Sequence, residues 1–191
     1  MRLLGVVASG NYVRDNPNAK FFPIATTTIG SGGAASVTFT ESGSAWADYT
    51  HLQIRAIVRT TTGNENWPLR IRFNSDSSSV YATHMMDGDG SAANSGSYVN
   101  NSEIYLQRPP GNDATANVFA STIIDLLDFR NTNKYKTIKY LCGYDANGTG
   151  RVFFGSGLWR SNNAITEINF TDYSSNNLAQ YSHFALYGIK A

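Results

Sequence analysis

The chain has 191 residues, 41% of them hydrophobic and 15% charged, with fifteen Lys and Arg against fourteen Asp and Glu for a net charge of +1. That balance excludes a long-range field drawing the protein to nucleic acid or to an anionic membrane, and no apolar run approaches the roughly 20 residues that span a bilayer as a helix. The lone Cys142 excludes a disulfide framework within the chain, and the length suits one domain with a core of its own.

Residues 1–21 read as an extended arm, apolar at "MRLLGVVASG" and then polar and Pro-containing at "NYVRDNPNAK". The apolar stretch from Leu3 to Ala8 is shorter than the roughly 7 to 15 residues of a signal-peptide core. Residues 22–191 are expected to form one β-sandwich, since short alternating segments separated by turn-rich clusters dominate and no helical period runs uninterrupted for three turns. After "ASVTF" comes the clearest strand, "LQIRAIVR", with Leu52, Ile54, Ala56 and Val58 on one face and Arg55 and Arg59 on the other. "TTTGNENWP" reads as a hairpin loop. It leads to "LRIRF", where Leu69, Ile71 and Phe73 should face inward and Arg70 and Arg72 outward.

Next comes "SVYATHM", then "DGDGSAANSGSYVNN" at 87–101, whose Gly, Ser and Asn content predicts a surface loop. "EIYLQ" and "NVFASTIIDL" follow as strands, although "STIIDLLDFRN" could also close as a helical turn. In "KTIKYLC", Cys142 shares a face with Ile138 and Tyr140 and reads as a small buried apolar residue, with no helix N-terminus or His partner to activate the thiol. "RVFFGSG", "AITEINF" and "HFALYGIK" complete the set. About ten strands with no covering helix predict an all-β fold, two antiparallel sheets packed as a sandwich of jelly-roll type.

Chemistry is sparse in this pattern. A helix-loop-helix calcium loop starting at Asp87 would put Ala92 at the Gly position and Tyr98 at the acidic position, so that template fails, leaving only a looser site on Asp87, Asp89 and loop carbonyls. Asp76 and Asp87 are instead expected to hold turns through side-chain to backbone hydrogen bonds. His51, His84 and His183 fall in three separate strand patterns without zinc spacing. "GSGLW" around Ser156 lacks the strand-turn-helix context of a nucleophile elbow. Glu41, Glu65, Glu103 and Glu167 come with no paired-carboxylate pattern. The sequence therefore assigns no catalytic residue, no metal and no cofactor. Two binding features remain. Arg55, Arg59, Arg70 and Arg72 would share one sheet face if their strands are hairpin neighbours, a basic patch able to grip carboxylates on a partner subunit. Trp67, beside Pro68 in a loop, could stack on a sugar.

Taken together, "FFPIATTTIGSGGAASVTF", "YTHLQIRAIVRTT", "LRIRFNSDSSSVYATHMMDGDGS", "GLWRSNNAITEINFT" and "SHFALYGIK" resemble a family of small structural proteins of tailed bacteriophages, over roughly residues 22 to 190. None of these stretches carries catalytic chemistry. The resemblance implies a jelly-roll β-sandwich displayed on the virion surface as a homo-oligomer, a trimer, binding the major capsid protein as a decoration or cement subunit, or tail proteins as part of a fibre or baseplate. Residues 1–21 depart from the family pattern. Leu3, Leu4, Val6 and Val7 are then expected to anchor the arm across a neighbouring subunit. A glycan-binding module built on Trp67 and the 87–101 loop is the alternative from another class, with a host glycan as its ligand.

Overall fold

The computed structural model describes residues 20–63, 68–106 and 108–190. Leu3, Leu4, Val6, Val7 and Trp67 lie outside the described residues. Within them the chain is all-β, with twelve strands: β1 (Phe21–Thr28), β2 (Ser36–Thr40), β3 (His51–Val58), β4 (Leu69–Phe73), β5 (Tyr81–Gly88), β6 (Ala93–Asn101), β7 (Ile104–Tyr105), β8 (Ala120–Leu126), β9 (Lys136–Asp145), β10 (Gly150–Trp159), β11 (Glu167–Asp172) and β12 (His183–Ile189). They form an eight-stranded sheet in the order β1-β12-β3-β8-β9-β10-β5-β6 and a four-stranded sheet in the order β2-β11-β4-β7. Every strand pairing is antiparallel.

The pairings are nested: β1 with β12, β2 with β11, β3 with β8 and β4 with β7. Members of the first and third pairs sit in the large sheet, and those of the second and fourth in the small one. The chain therefore crosses between layers each time it enters or leaves β2, β4, β7 and β11. Two hairpins, β5-β6 and β9-β10, widen the large sheet beyond β8.

Period-two alternation explains both layers. Leu52, Ile54 and Val58 of β3, Ile124 and Leu126 of β8, and Ile138 and Tyr140 of β9 turn inward to meet Val37, Phe39, Ile71, Phe73, Ile168 and Phe170 of the small sheet in one core. Each fully buried side chain of this size contributes about 1.5–3 kcal/mol by leaving water. In β10 the inward positions are Phe153, Gly155, Gly157 and Trp159. A Cβ on Gly155 would lie 2.4 Å from the Tyr140 ring, and one on Gly157 would lie 2.5 Å from Ile104. These glycines let a ring and a facing strand settle directly on the sheet, so "GSGLW" is core-facing strand. Cys142 is buried beside Ile138 and Tyr140 in β9 as the alternation predicted, and burial pushes its thiol up to about 12.

Three local readings need correction. First, "TTTGNENWP" does not join hairpin neighbours: β3 pairs with β12 and β8, whereas β4 pairs with β11 and β7 in the other sheet. Second, 87–101 is mostly strand, because β6 pairs with β5 through main-chain bonds that need no buried side chains. Third, β1 starts at Phe21, inside the predicted arm, and its "FFPIATTT" lacks the clean alternation of β3, β4 and β9. Of the two readings of "STIIDLLDFRN", the strand holds as far as Leu126, and turns follow.

Candidate functional site on the outer face of the large sheet

In an antiparallel sandwich the outward positions are normally polar. The small sheet obeys this. Ser36, Thr38 and Thr40 of β2, Glu167, Asn169 and Thr171 of β11, and Arg70 and Arg72 of β4 point away from the core. The large sheet does not. Its register sets Ile123 of β8 opposite Leu141 of β9, Leu141 opposite Phe154 of β10, and Phe154 opposite Met86 of β5. This makes one apolar row across four neighbouring strands. Ile57 and Val152 belong to the next row along the same face. The exposure of these six side chains runs from 39% for Ile123 to 60% for Val152. Together they present on the order of 600 Å² of apolar surface, the upper end of what a typical monomer leaves uncovered in one patch.

Beside the row the face is hollowed into a groove of about 700 Å³, with Met86, Phe154, Ser156 and His84 among its lining residues and Leu127 and Tyr135, from the turns between β8 and β9, exposed at its side. Charges of both signs surround it: Lys139 lies 3.5 Å from Asp125, and Lys134 is paired with Asp128. The Lys134 hydrogen bond holds the Asp128 carboxyl below the usual range, against the opposing effect of burial. Ser156 sits opposite His84 in register, but Asp125 is held by the Gln53 amide at 2.7 Å and by Lys139, away from any role in orienting the imidazole.

The turn that forms this side is anchored from beneath. Lys136, only 2% exposed, donates from Nζ to the carbonyls of Asn131 at 2.6 Å, Lys134 at 3.0 Å and Asn162 at 3.3 Å. Burial, and then the neighbouring Lys134 charge, lower its pKa. The alternation of β9 sets this lysine on the inward face with Ile138, Tyr140 and Cys142, but only the fold brings the three carbonyls that receive it.

The four arginines are not brought together. Arg55 lies on the large sheet, its guanidinium 5.0 Å from the Phe21 ring centre and 5.7 Å from that of Tyr187. Arg59 follows β3 and donates to the carbonyls of Thr115 at 2.8 Å, Val118 at 2.9 Å and Ala114 at 3.1 Å. Arg70 and Arg72, on the other sheet, converge on the buried Glu103 carboxylate, Arg70 at 3.0 Å. Arg70 also donates to the carbonyl of Asp172 at 2.7 Å. The expected shared basic face is replaced by internal ties, because the chain changes layers between the two strands.

Of the carboxylates between residues 73 and 90, one follows expectation and two do not. Asp76 does hold a turn, accepting from the Ser78 amide at 3.0 Å, and its other oxygen accepts from the Trp159 indole at 2.8 Å. Burial works to raise its pKa, but the hydrogen bonds from Ser78 and Trp159 and the charge of Arg72 outweigh it and leave the group below its ordinary value. Asp87 holds no turn: it faces Arg151 at 3.0 Å. Asp89 takes the turn role, accepting from the amides of Ser91 at 2.9 Å and Ala92 at 2.8 Å, which bring its pKa down to about 2.

A second, smaller cavity of about 220 Å³ opens where β5 and β6 overhang β7, lined by Met85, Tyr98, Tyr105, Arg108, Tyr173 and Pro68. Tyr105 lies edge-on to Tyr98, with ring centres 5.1 Å apart, and to Tyr173 at 5.5 Å.

Sequence reasoning missed the outer apolar row, although a signal for it existed. Ile123-Ile124, Leu141-Cys142, Val152-Phe153-Phe154 and Met85-Met86 are consecutive apolar residues in strands that would alternate if one face were solvated. No protein-family model matches this chain, and no curated protein is similar enough to stand as a relative.

Proposed function

We propose that this protein is a non-enzymatic structural subunit of a bacteriophage virion that attaches to a larger protein assembly through the outer face of its eight-stranded sheet. The observation that carries this reading is the row Ile123, Leu141, Phe154 and Met86, an apolar strip on a sheet face that sandwich proteins otherwise make polar. An exposed patch of this size, rimmed by charges of both signs, has the composition of a protein interface: an apolar centre and a polar rim. The nested pairing of β1-β12, β2-β11, β3-β8 and β4-β7 supports a jelly-roll reading, one long antiparallel hairpin folded across two layers. The resemblance of the sequence to phage structural proteins supplies the virion and the class of partner, the major capsid protein or a tail protein. On a capsid lattice, many weak copies of this contact add up to a cement. The engagement of Glu103, Asp87, Asp89 and Asp125 by structural partners favours assembly over catalysis.

The test is rebinding. Virions stripped of the protein, or assembled without it, should recover it from solution, and Phe154→Lys combined with Leu141→Lys should abolish recovery while the melting temperature stays within a degree or two. Full recovery by that variant sinks the reading, and electron microscopy of the rebound particles shows whether the heads or the tails carry it.

The tyrosine-lined cavity favours a second reading, glycan binding. Tyr98, from the 87–101 segment expected to meet a sugar, is one of three tyrosines that line the cavity. Loss of glycan-array signal in Tyr105→Ala would support it, and an array with no signal for the native protein would exclude the glycans it displays.

A further inference from the structure

A sheet edge left unpaired is a template for another strand, and proteins ordinarily block it with charge, proline, a bulge or brevity. Among the described residues the two sheets have four edges. β1 carries Pro23 and a register shift between Pro23 and Ala25. β2 has five residues and stops at Glu41, whose carboxylate is tied to Arg130 at 2.7 Å. β7 has two residues. The fourth edge, β6, has nine, and they include no proline and no charged side chain. Its one irregularity lies at the far end, where the register shifts between Tyr81 and Ala82 of β5 and Asn100 adopts a positive φ of 56°. The run Ala93–Val99 before it pairs without interruption on its β5 side and is exposed or half-exposed throughout.

We infer that β6 is a self-association edge, and that a second copy of this chain pairs with it antiparallel across a two-fold axis to give a continuous sheet of sixteen strands. An antiparallel strand pair is the arrangement a strand can make with its own copy under two-fold symmetry, since each contributes the same donors and acceptors. A two-fold near Gly96 sets Ala93 against Val99, Asn94 against Tyr98 and Ser95 against Ser97. No like charges meet, and no bulky pair collides. A neutral edge of small polar residues is suited to this and poorly suited to a strongly charged partner strand. The pairing goes beyond the attachment reading and does not depend on it. It would also place two apolar rows side by side on one enlarged face, so that each dimer engages a lattice at two points.

Sedimentation velocity on the full chain, from low micromolar to sub-millimolar concentration, is the deciding experiment. The native protein should pass from monomer to twice the monomer mass. Amide exchange in 93–99 should slow over the same range as the unpaired N–H groups find acceptors. Ser95→Lys with Ser97→Lys places repelling ammonium groups along the edge without touching the core, and should weaken the dimer at least about tenfold. Its melting temperature in dilute solution should stay that of the native chain, which separates loss of pairing from loss of fold. A protein that stays monomeric, forms a trimer, dimerises equally well with both lysines, or dimerises with its β6 amides still exchanging freely overturns the inference. Phe154→Lys should leave the dimer intact, so a failure of attachment and a failure of pairing can be told apart.

Discussion

The two sheets share one core and present opposite characters to the outside. On the small sheet the outward polar groups are tied in separate sets: the Asn169 amide donates to the Thr38 hydroxyl at 2.8 Å, and Arg70 and Arg72 share the Glu103 carboxylate. On the large sheet, the same alternation that buries Phe153 pushes Phe154 into solvent, with Leu141 and Met86 alongside it in register. A polar outer face made of mutual hydrogen bonds has little left to offer a partner. An apolar one carries a standing free-energy cost of exposure that only a partner removes. Adjacent residues on one strand thus serve different ends, one the stability of the fold and the next an association.

The sharpest way to break this contrast is at Phe153 and Phe154. Phe153→Ala should destabilise the protein by about 3–5 kcal/mol, because it opens a cavity in the core. Phe154→Ala should change stability by no more than about 0.5 kcal/mol, as an exposed substitution does. Denaturant unfolding of the two variants decides the matter. Equal losses would mean that the outer row is structural and not a docking surface.

A smaller effect is expected on the other face. Glu103→Gln leaves two guanidinium groups without the carboxylate they share, in a site where that side chain is only 6% exposed. Breaking a buried pair from one side costs up to about 3–5 kcal/mol, and the partial exposure of both arginines brings the expectation to roughly 2 kcal/mol. Because the ties on this face are internal, attachment to virions should not change. A variant that folds normally but no longer attaches would move the docking surface to the small sheet.

The mildest probe is chemical. Cys142 points inward, and burial keeps it protonated. In the native state it should therefore react with a thiol reagent only at the rate at which the fold opens. A second cysteine introduced by Leu141→Cys on the outer face should label at once in the free protein and be shielded in the assembly. Labelling that does not change on assembly would sharpen the question of what the face meets.

Much of this was legible in the chain. Alternation in "LQIRAIVR", "LRIRF" and "KTIKYLC" is a local property, set by the pleat that sends successive side chains to opposite faces, and each of these segments is the strand it promised. Asp76 could be assigned to its turn because an Asx turn closes within two residues. The misreadings are of one kind. Hairpin pairing of β3 with β4, a basic face of four arginines and a loop at 87–101 are all statements about which strand lies beside which. For the first two that choice is made by long-range packing, whereas β6 pairs with its sequence neighbour β5 in a hairpin that a run of Gly, Ser and Asn does not announce.

Local chemistry in the sequence therefore determined the all-β class, the inward faces of the strands and the buried cysteine, since these depend on residue type and on a period of two. Only the tertiary structure decided that β3 and β4 belong to different layers, that Glu103 gathers Arg70 and Arg72, and that Ile123, Leu141, Phe154 and Met86 line up in one row. Those four residues come from four strands spread over about seventy positions of the chain, and the register that aligns them is fixed by hydrogen bonds between strands whose order in space differs from their order in sequence.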